Sequence, residues 1–563
     1  MVAATGVIWY KVRRWEEEKM EKLEKLKDRT PTAKTIRHEL VNFICQCAVI
    51  AASPNHTTNY IVSFFPSSFE SRPPLNILRL PFSPSLLYIY LIPPPATCHS
   101  PPTFLLSAEG SSAVSRTTHT APIVLPKLQH EPTCSFNPVS TALSLSHRHP
   151  NSQITLLEAF PIIPNPHGSS VDSSRIVRAD YSQPHYAKLA AEALDLWRNT
   201  EWGKEGRYTQ NGLLLVYPPG STNARDYANK SYENVKQIPG QDVELLPTRE
   251  EVARVAPAYG VNRSVAGGYV NWGSGWSDAE AGVRYTKQRL DQEGKVIFKT
   301  GDVSSLQYSN DKSNRVTGVN LTDGSSLTAD LVVLATGAWT AKLVDLRGRT
   351  VQTGQAIAYI RISDEEQKRF EHMPTILNFA TGIFIIPPRK NMLKIARHAY
   401  GYVNPVQVPV PGTTTDEGQN MQVSLPEKGV PIPAEGEKAF REALKELIPS
   451  FADRPFAETR VCWYTDTPNG DFIITYHPDH PGLFLATGGS GHGYKFLPVL
   501  GDKIVDALEG KLDPALQDLW KWPAAVSESQ FDGTEDGSRS GPKGLRLMDE
   551  LLKTRKAKRG SLL

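Results

Sequence analysis

Hydrophobic positions recur at regular spacing in the part of the chain that follows residue 138. Between Tyr186 and Trp197 they fall on one face of a helix, which predicts an amphipathic helix. Continuous apolar runs predict buried strands in "QITLLEA" (153–159) and "SLTADLVVLATGAW" (326–339). The segments "LKIARHAYGY" and "GLFLATGG" predict further strands, with helices such as "EKAFREALKELI" between them. Strands that alternate with helices predict an α/β layered fold.

The first 137 residues have a different pattern. Residues 1–40 carry the mixed-charge run "RRWEEEKMEKLEKLKDR", which predicts a solvated helix. The proline-rich stretch that follows cannot continue a helix or a central strand. Its longest apolar run, "FICQCAVIAA", is too short to span a bilayer, and the N-terminus lacks the compact apolar run of a secretory signal. We predict that 1–137 is a disordered or incorrectly translated extension, the alternative being an extension with its own role.

Composition narrows the classes of function. The chain of 563 residues is long enough for two or three domains, and its net charge of +3 gives no reason to expect a nucleic-acid partner. Its five cysteines do not form a disulfide framework, because Cys462 stands apart from the others (Cys45, Cys47, Cys98 and Cys134). The pair in "CQC" has no matching pair elsewhere, so no metal site is predicted.

Seven separated motifs between 138 and about 525 carry a family resemblance. They are "ITLLEA", "DSSRIVRADY", "GWSDAEAGVRY", "ADLVVLATGAWTAKL", "MLKIARHAYGY", "CWYTDTPNGDFII" and "GGSGHGYKFLPVLGDKIVDALEGK". In this order they resemble the FAD-dependent amine oxidases of the sarcosine oxidase and fructosyl-amino-acid oxidase family, and most nearly its fungal saccharopine and pipecolate oxidase-like members. The resemblance implies a Rossmann-type FAD-binding domain interleaved with an antiparallel-sheet substrate domain.

The same resemblance divides the chain into segments. The predicted FAD-binding parts are 138–215, 271–348 and 456–525. The predicted substrate-domain parts are 216–270 and 349–455. The extension 1–137 precedes them, and 526–563 is predicted to be a C-terminal tail.

One expected element of the FAD-binding domain is missing from the sequence. The family's first strand leads into a helix through a G-x-G-x-x-G loop, but Thr133, Ser135 and Pro138 stand where its glycines belong. Side chains there would block the approach of the backbone to the pyrophosphate. We therefore predict that the first strand and the glycine loop are absent, and we attribute this to a mis-joined coding sequence.

The resemblance implies further FAD contacts. Glu158 ends a strand where a carboxylate can accept hydrogen bonds from ribose hydroxyls, although a surface glutamate is the alternative. Cys462 matches the cysteine that bonds covalently to the flavin 8-methyl carbon, the alternative being a buried structural cysteine. The other implied cofactor-binding residues are Ser174, Arg175, Val303, Gly337, Gly489, Gly491 and Lys495.

The implied catalytic residues surround an amino-acid substrate. Arg178 and Lys495 match the pair of cations that holds the substrate carboxylate. Tyr464 and His398 match positions that line the pocket, and Lys394 matches the lysine that activates oxygen. The alternatives are a surface salt bridge for Arg178, a core position for His398, and a partly exposed edge strand for Lys394.

The function implied by the resemblance is oxidation of a secondary amine in an amino acid. The substrate would be saccharopine, pipecolate, sarcosine or a fructosyl amino acid, and the products an imine that hydrolyses and hydrogen peroxide. The implied partners are this amino acid and O2, with no nucleic acid and no membrane span, and the expected state is a monomer. One alternative is a degenerate or mis-translated homologue that binds no FAD; another is a dehydrogenase with a different electron acceptor, against which Lys394 argues. The C-terminal "SLL" suggests a peroxisomal or a cytoplasmic location.

Overall fold

The structure of the protein is a computed structural model. It describes residues 123–126, 138–166, 168–260, 265–412, 419–524, 534 and 537–560, of which 123–126 and 556–560 are described by their backbone only. The helix predicted in 1–40 and the cysteines before 138 lie outside the described residues.

The strands are numbered here in chain order. The first half are β1 (Ile123–Pro126), β2 (Ile154–Glu158), β3 (Arg175–Val177), β4 (Tyr208–Thr209), β5 (Leu213–Tyr217), β6 (Val243–Leu246), β7 (Gly267–Asn271), β8 (Gly275–Ser277), β9 (Val296–Thr300), β10 (Val303–Tyr308), β11 (Val316–Leu321) and β12 (Ser326–Thr328). The second half are β13 (Leu331–Leu334), β14 (Val351–Arg361), β15 (Thr375–Asn378), β16 (Ile383–Arg389), β17 (Met392–Arg397), β18 (Tyr402–Val403), β19 (Pro405–Pro409), β20 (Asn420–Ser424), β21 (Glu458–Asp466), β22 (Ile473–Tyr476), β23 (Leu483–Thr487) and β24 (Leu545–Arg546).

The helices are numbered in the same way. They are α1 (Pro138–Arg148), α2 (Pro184–Asn199), α3 (Thr222–Val235), α4 (Arg249–Val255), α5 (Ala279–Glu293), α6 (Thr340–Leu343), α7 (Asp364–Phe370), α8 (Ala434–Leu447), α9 (Leu497–Leu508), α10 (Pro514–Trp520) and α11 (Leu547–Gly560). Single 3-10 turns occur at Gly337–Trp339, Pro449–Phe451 and Tyr494–Phe496. No helix in the described ranges is both long and apolar enough to cross a membrane.

The first large sheet has the order β22-β23-β13-β1-β2-β9. Its neighbours from β23 to β9 run parallel, and β22 joins the edge in the antiparallel direction. Helix α1 packs against β2, α5 and α9. A parallel sheet in which β1 lies at the centre and β2 and β9 follow on one side is the Rossmann-type arrangement, so this part of the predicted fold is confirmed.

The prediction that the first strand is absent is wrong. β1 lies between β2 and β13, where Ile123 pairs with Ile154 on one side and with Leu331 on the other. The run "IVLP" is short and ends in a proline, and its partners are distant in sequence, which explains why the local pattern did not reveal it. The segment 127–137, with Thr133 and Ser135, lies outside the described residues, and Pro138 is the first residue of α1.

The second large sheet has the order β24-β18-β14-β17-β16-β15-β5-β7-β6, with β21 also paired to β14. Most neighbours in it are antiparallel, as predicted for the substrate domain. The predicted boundary at 456 is wrong, because β21 pairs with β14 in this sheet from Glu458 to Asp466. Smaller antiparallel sheets are formed by β10-β11-β12, by β3-β8-β4 and by β19-β20.

The C-terminal segment is part of the fold, although the sequence predicted a tail. β24 pairs with β18, and α11 packs against α8. Between α10 and β24, the side chain of Arg539 is buried and bonded to Asp466.

Helix α2 forms as its sequence predicts. Its N-cap residue Gln183 accepts a hydrogen bond from the His185 amide, and Pro184 occupies the first turn, where no amide hydrogen is needed. The predicted apolar face is buried from Tyr186 to Trp197. Because the Trp197 Nε1 donates to the Lys495 carbonyl at 2.8 Å, this helix also fixes a residue of the site.

Candidate active site

Residues from six separate parts of the chain line one cavity of about 70 Å³, including Leu377 of β15 and Phe384 of β16. The others come from β3 and its C-terminal end, from β17 and the turn after it, from β21, and from the loop and 3-10 turn that follow β23. Of the predicted site residues, the cavity brings together Arg175, Arg178, Lys394, His398, Tyr464, Gly491 and Lys495.

Lys394 is buried in a central strand, with 2% of the residue exposed. Its strand β17 lies between β14 and β16, so the alternative of a partly exposed edge strand is wrong. The ammonium donates to Asp172 Oδ2 at 2.7 Å and to the Ser174 carbonyl at 2.7 Å. A buried lysine is stable there because a carboxylate compensates its charge.

Asp172 is the centre of a buried charge cluster. Its carboxylate also accepts a hydrogen bond from the Tyr359 hydroxyl at 2.6 Å, and it lies 3.1 Å from Arg175 and 3.6 Å from Arg460. Burial by itself raises the pKa of Asp172, but the neighbouring charges of Lys394, Arg175 and Arg460 outweigh it and hold that pKa well below its usual range. Burial lowers the pKa of Lys394 to about 8, while Asp172 opposes the shift. Asp172 lies inside the motif "DSSRIVR", but sequence reasoning did not single it out.

Cys462 is buried beside a guanidinium. The Arg175 Nη2 lies 3.2 Å from Cys462 Sγ, and Arg175 Nε is buried with no hydrogen-bond partner. A guanidinium beside a thiol stabilises the thiolate, which is its nucleophilic form. Cys462 also lines a neighbouring cavity of about 400 Å³, together with Ser169 and Arg460. Arg175 therefore contacts the cysteine and lines the smaller cavity as well.

Arg178 and Lys495 are both buried, with 6% and 5% of each residue exposed. Neither forms an ion pair with a carboxylate of the described residues, so the alternative of a surface salt bridge for Arg178 is wrong. Arg178 lies over the ring of Tyr181 and keeps its Nη1 buried without a hydrogen-bond partner. Lys495 donates to the Tyr181 hydroxyl oxygen at 2.7 Å and to the His492 carbonyl at 2.8 Å.

His398 is held by the C-terminal segment. Arg539 Nη1 lies 3.0 Å from His398 Nδ1, and Arg539 Nη2 donates to Asp466 Oδ1 at 2.5 Å and to the Ser490 carbonyl at 2.9 Å. Burial and the charge of Arg539 keep the pKa of His398 well below its usual value, so the ring is neutral. Since a guanidinium only donates, Nδ1 accepts and the proton of the ring lies on Nε2. Sequence reasoning missed Arg539, because it assigned this segment to a tail.

Comparison with known proteins places the chain in a family. The family model described as "DAO: FAD dependent oxidoreductase" matches residues 138–507.

The chain belongs to this DAO family of FAD-dependent oxidoreductases.

Similar proteins include the amino acid oxidase imqH of Aspergillus flavus, which is 30% identical over 461 residues, covering 69% of this chain and 96% of that protein. The L-saccharopine oxidase of Schizosaccharomyces pombe is 28% identical over 405 residues, covering 69% of this chain and 91% of that protein.

Solved structures of oxidases share the fold. A modified fructosyl peptide oxidase from Aspergillus nidulans superposes with a TM-score of 0.66 at 25% identity, covering 76% of this chain and 98% of that one. The fructosamine oxidase Amadoriase II of Aspergillus fumigatus gives a TM-score of 0.66 at 26% identity, covering 77% of this chain and 97% of that one. The predicted enzyme class, an FAD-dependent oxidoreductase acting on CH–NH donors with oxygen as acceptor, is confirmed.

The described residues fit an FAD. Glu158 is buried at the end of β2, where its Oε1 accepts from the Ala159 amide at 3.0 Å and from Asn165 Nδ2 at 3.3 Å. This is the strand end at which a carboxylate can meet a ribose. The buried Nε atoms of Arg175 and Arg460 have no hydrogen-bond partner and offer donors next to Cys462. Because Glu158 is buried, the alternative of a surface glutamate is wrong.

Two of the predicted cofactor-binding glycines have a left-handed backbone conformation. Gly491 has a φ of +70°, and a Cβ there would lie 2.4 Å from the Tyr464 ring. Gly337 has a φ of +54°, directly after β13. Val303 is buried at the start of β10. The roles of these residues, and of Ser174 and Gly489, toward FAD remain predictions.

Proposed function

We propose that this enzyme oxidises a secondary amine in an amino acid. The observation that carries the proposal is the pair Arg178 and Lys495, two buried basic side chains on one cavity, neither in ion-pair contact with a carboxylate of the described residues, with Asp180 acting on them only from a distance. Burying charges without compensation is costly, so a site of this kind suits a ligand that brings the missing negative charge. The carboxylate of an amino acid has this charge, and a guanidinium fork can bind it in a bidentate manner.

The protein's residues orient the substrate. Arg178 and Lys495 hold the carboxylate at one side of the cavity, while His398 and Tyr464 form uncharged walls. A bound FAD would supply the acceptor for a hydride equivalent from the carbon next to nitrogen and the electrons that reduce O2 to hydrogen peroxide. Lys394 supplies a buried positive charge on the same cavity, where it can stabilise negative charge that develops on oxygen.

Among candidate amines we favour saccharopine or pipecolate. The support is the likeness to the L-saccharopine oxidase of Schizosaccharomyces pombe together with the motifs "DSSRIVRADY" and "MLKIARHAYGY".

We further propose that Cys462 bonds covalently to the flavin. Its support is a buried thiol 3.2 Å from the Arg175 guanidinium and beside a cavity of about 400 Å³. We also propose that the enzyme acts as a monomer. The location stays a proposal for the peroxisome or the cytoplasm, since 561–563 lie outside the described residues.

Anaerobic reduction of the bound flavin tests the proposed function. Saccharopine, pipecolate, sarcosine and fructosyl-glycine are each mixed with the purified enzyme without oxygen, and the flavin absorbance is followed. At least one should bleach the flavin, and admission of air should restore the colour and yield one hydrogen peroxide per substrate. A loaded flavin that none of them bleaches would contradict the proposal, and bleaching that air does not reverse would favour a dehydrogenase.

Two matched arginine variants distinguish a loss of substrate binding from a general disturbance of the fold. Arg178→Met should raise the substrate concentration needed for bleaching by about 100-fold, because a charge-assisted pair in a buried site contributes on the order of 3 kcal/mol. Arg284→Met, the same change at an exposed arginine of α5, should leave it unchanged.

A further inference from the structure

A directed chain of hydrogen bonds ends at the nitrogen of Lys495. His492 Nε2 lies 2.8 Å from the Gly470 carbonyl, and because a carbonyl only accepts, the ring proton is on Nε2. His492 is neutral, since burial and the charge of Lys495 keep its pKa well below its usual value. Its Nδ1 therefore accepts the hydroxyl proton of Tyr181 at 2.9 Å. The Tyr181 oxygen is then left to accept from Lys495 at 2.7 Å.

This direction determines what Lys495 presents to the cavity. Two of its hydrogens are used by neutral acceptors, the Tyr181 oxygen and the His492 carbonyl. The remaining position on the nitrogen is a third N–H if the side chain is an ammonium and a lone pair if it is an amine. Lys495 lines the cavity, so this position can reach a bound substrate.

The surroundings of Lys495 favour the amine. Arg178 at the end of β3 is the nearby cation, and the rings of Tyr181 and Phe496 lie 5.1 and 5.3 Å from the nitrogen. Burial and the charge of Arg178 lower the pKa of Lys495 well below its usual value, and Asp180 opposes them only in part. The carboxylate of Asp180 is bonded to Tyr269, Asn271 and Ser274 instead.

The other nitrogen bases of the cavity are not available as proton acceptors. His398 Nδ1 accepts from Arg539, and both ring nitrogens of His492 are used. Lys394 is paired with Asp172, which favours its ammonium form. Among the described residues that line the cavity, the lone pair of Lys495 is the one left to accept a proton.

We propose that Lys495 enters the reaction as a neutral amine and takes the proton of the substrate's ammonium group. The substrate nitrogen keeps its electron pair and becomes the neutral amine, and Lys495 becomes an ammonium ion. The same transfer gives Lys495 the positive charge that binds the substrate carboxylate. This inference rests on the proposed function, because it assigns the proton that an amino acid must lose before its amine can be oxidised.

Proton uptake on binding of acetate, a carboxylate without an amine, tests the inference without turnover. The flavin-loaded enzyme is titrated with acetate at pH 7, where Lys394 is already mostly protonated, in weakly buffered solution with a pH indicator, and binding is followed by the flavin spectrum. Because a bound carboxylate stabilises the ammonium form of Lys495, uptake approaching one proton per bound acetate is expected. Lys495→Arg should bind acetate without proton uptake. Acetate binding to the unmodified enzyme with no proton uptake would overturn the inference.

Flavin reduction by the substrate supplies the second measurement. At pH 7, Lys495→Arg should reduce its flavin about 100-fold more slowly, a magnitude typical of the loss of a general base. Its rate should rise about tenfold per pH unit toward the pKa of the substrate amine, because solvent then supplies the neutral form. Lys503→Arg on α9 is the matched control and should behave as the unmodified enzyme. An unchanged rate in Lys495→Arg at pH 7 would overturn the inference, even if amine oxidation itself is confirmed.

Discussion

Two buried lysines on the same cavity differ in their partners. Lys394 lies 2.7 Å from the carboxylate of Asp172, whereas Lys495 lies 2.7 Å from a phenol oxygen and 2.8 Å from a carbonyl. Burial lowers the pKa of both groups, but the carboxylate limits the fall for Lys394 to about 8. We propose that the carboxylate in contact with Lys394 suits that amine to charge stabilisation, and that the lack of such a contact suits Lys495 to proton transfer.

The largest effect is expected from removing that carboxylate. Asp172→Asn would leave Lys394, Arg175 and Arg460 buried without their counter-charge. Unfolding by urea should show a loss of about 3–5 kcal/mol, which is typical of a broken buried ion pair. Asp291→Asn, on the exposed side of α5, is the matched control. Equal stability of the two variants would show that Asp172 does not compensate the cluster.

Removing the charge of Lys394 should separate the two halves of the catalytic cycle. In Lys394→Met the reaction of the reduced enzyme with O2 should slow by about 100-fold or more, a magnitude typical of the loss of one electrostatic contact to developing charge. Flavin reduction by the amine should change far less, because Lys495 is still present. Stopped-flow absorbance measures both steps, with Lys438→Met on the exposed face of α8 as control. A selective loss of amine oxidation instead would reverse the roles of the two lysines.

The pH dependence of the same two steps should differ. Reoxidation by O2 should slow as the pH rises through about 8, where Lys394 loses its charge. Reduction by the amine should not decline there, since the neutral form of Lys495 is favoured. For stability, the folded pKa of about 8 lies below the ordinary value of 10.5, so between these values the unfolded chain binds more protons. The contribution of Lys394 to the free energy of unfolding therefore rises with pH in this window. Parallel pH profiles of flavin reduction and reoxidation would contradict the proposed difference between Lys394 and Lys495.

A smaller effect is expected from Arg539, which acts through His398. Arg539→Lys keeps a charge near Asp466 but cannot donate at once to Asp466 and to His398 as the guanidinium does. We expect a loss of about tenfold in kcat/KM, or about 1.4 kcal/mol. The nitrogen chemical shifts of the imidazole should show that His398 is no longer fixed with its proton on Nε2. Unchanged shifts would show that Arg539 does not set this tautomer.

Several of the predicted site residues line one cavity, whereas the predicted limits of the fold were wrong. Arg175, Arg178 and Lys394 came together because each lies in a contiguous motif on or beside a strand. β1 was missed because a four-residue strand gains its stability from β2 and β13, and this pairing leaves no trace in local periodicity. Arg539 was missed because "DGSRSGPKG" has the composition of a loop. Its role depends on a buried ion pair with Asp466, 73 positions away.

Whether this chain holds FAD is the most direct question, since the sequence has no glycine between β1 and α1. The purified 563-residue chain is precipitated with acid, and the absorbance of pellet and supernatant is measured. We predict flavin bands in the pellet of the unmodified chain, and their transfer to the supernatant in Cys462→Ser. A colourless pellet and a colourless supernatant from the unmodified chain would contradict this prediction.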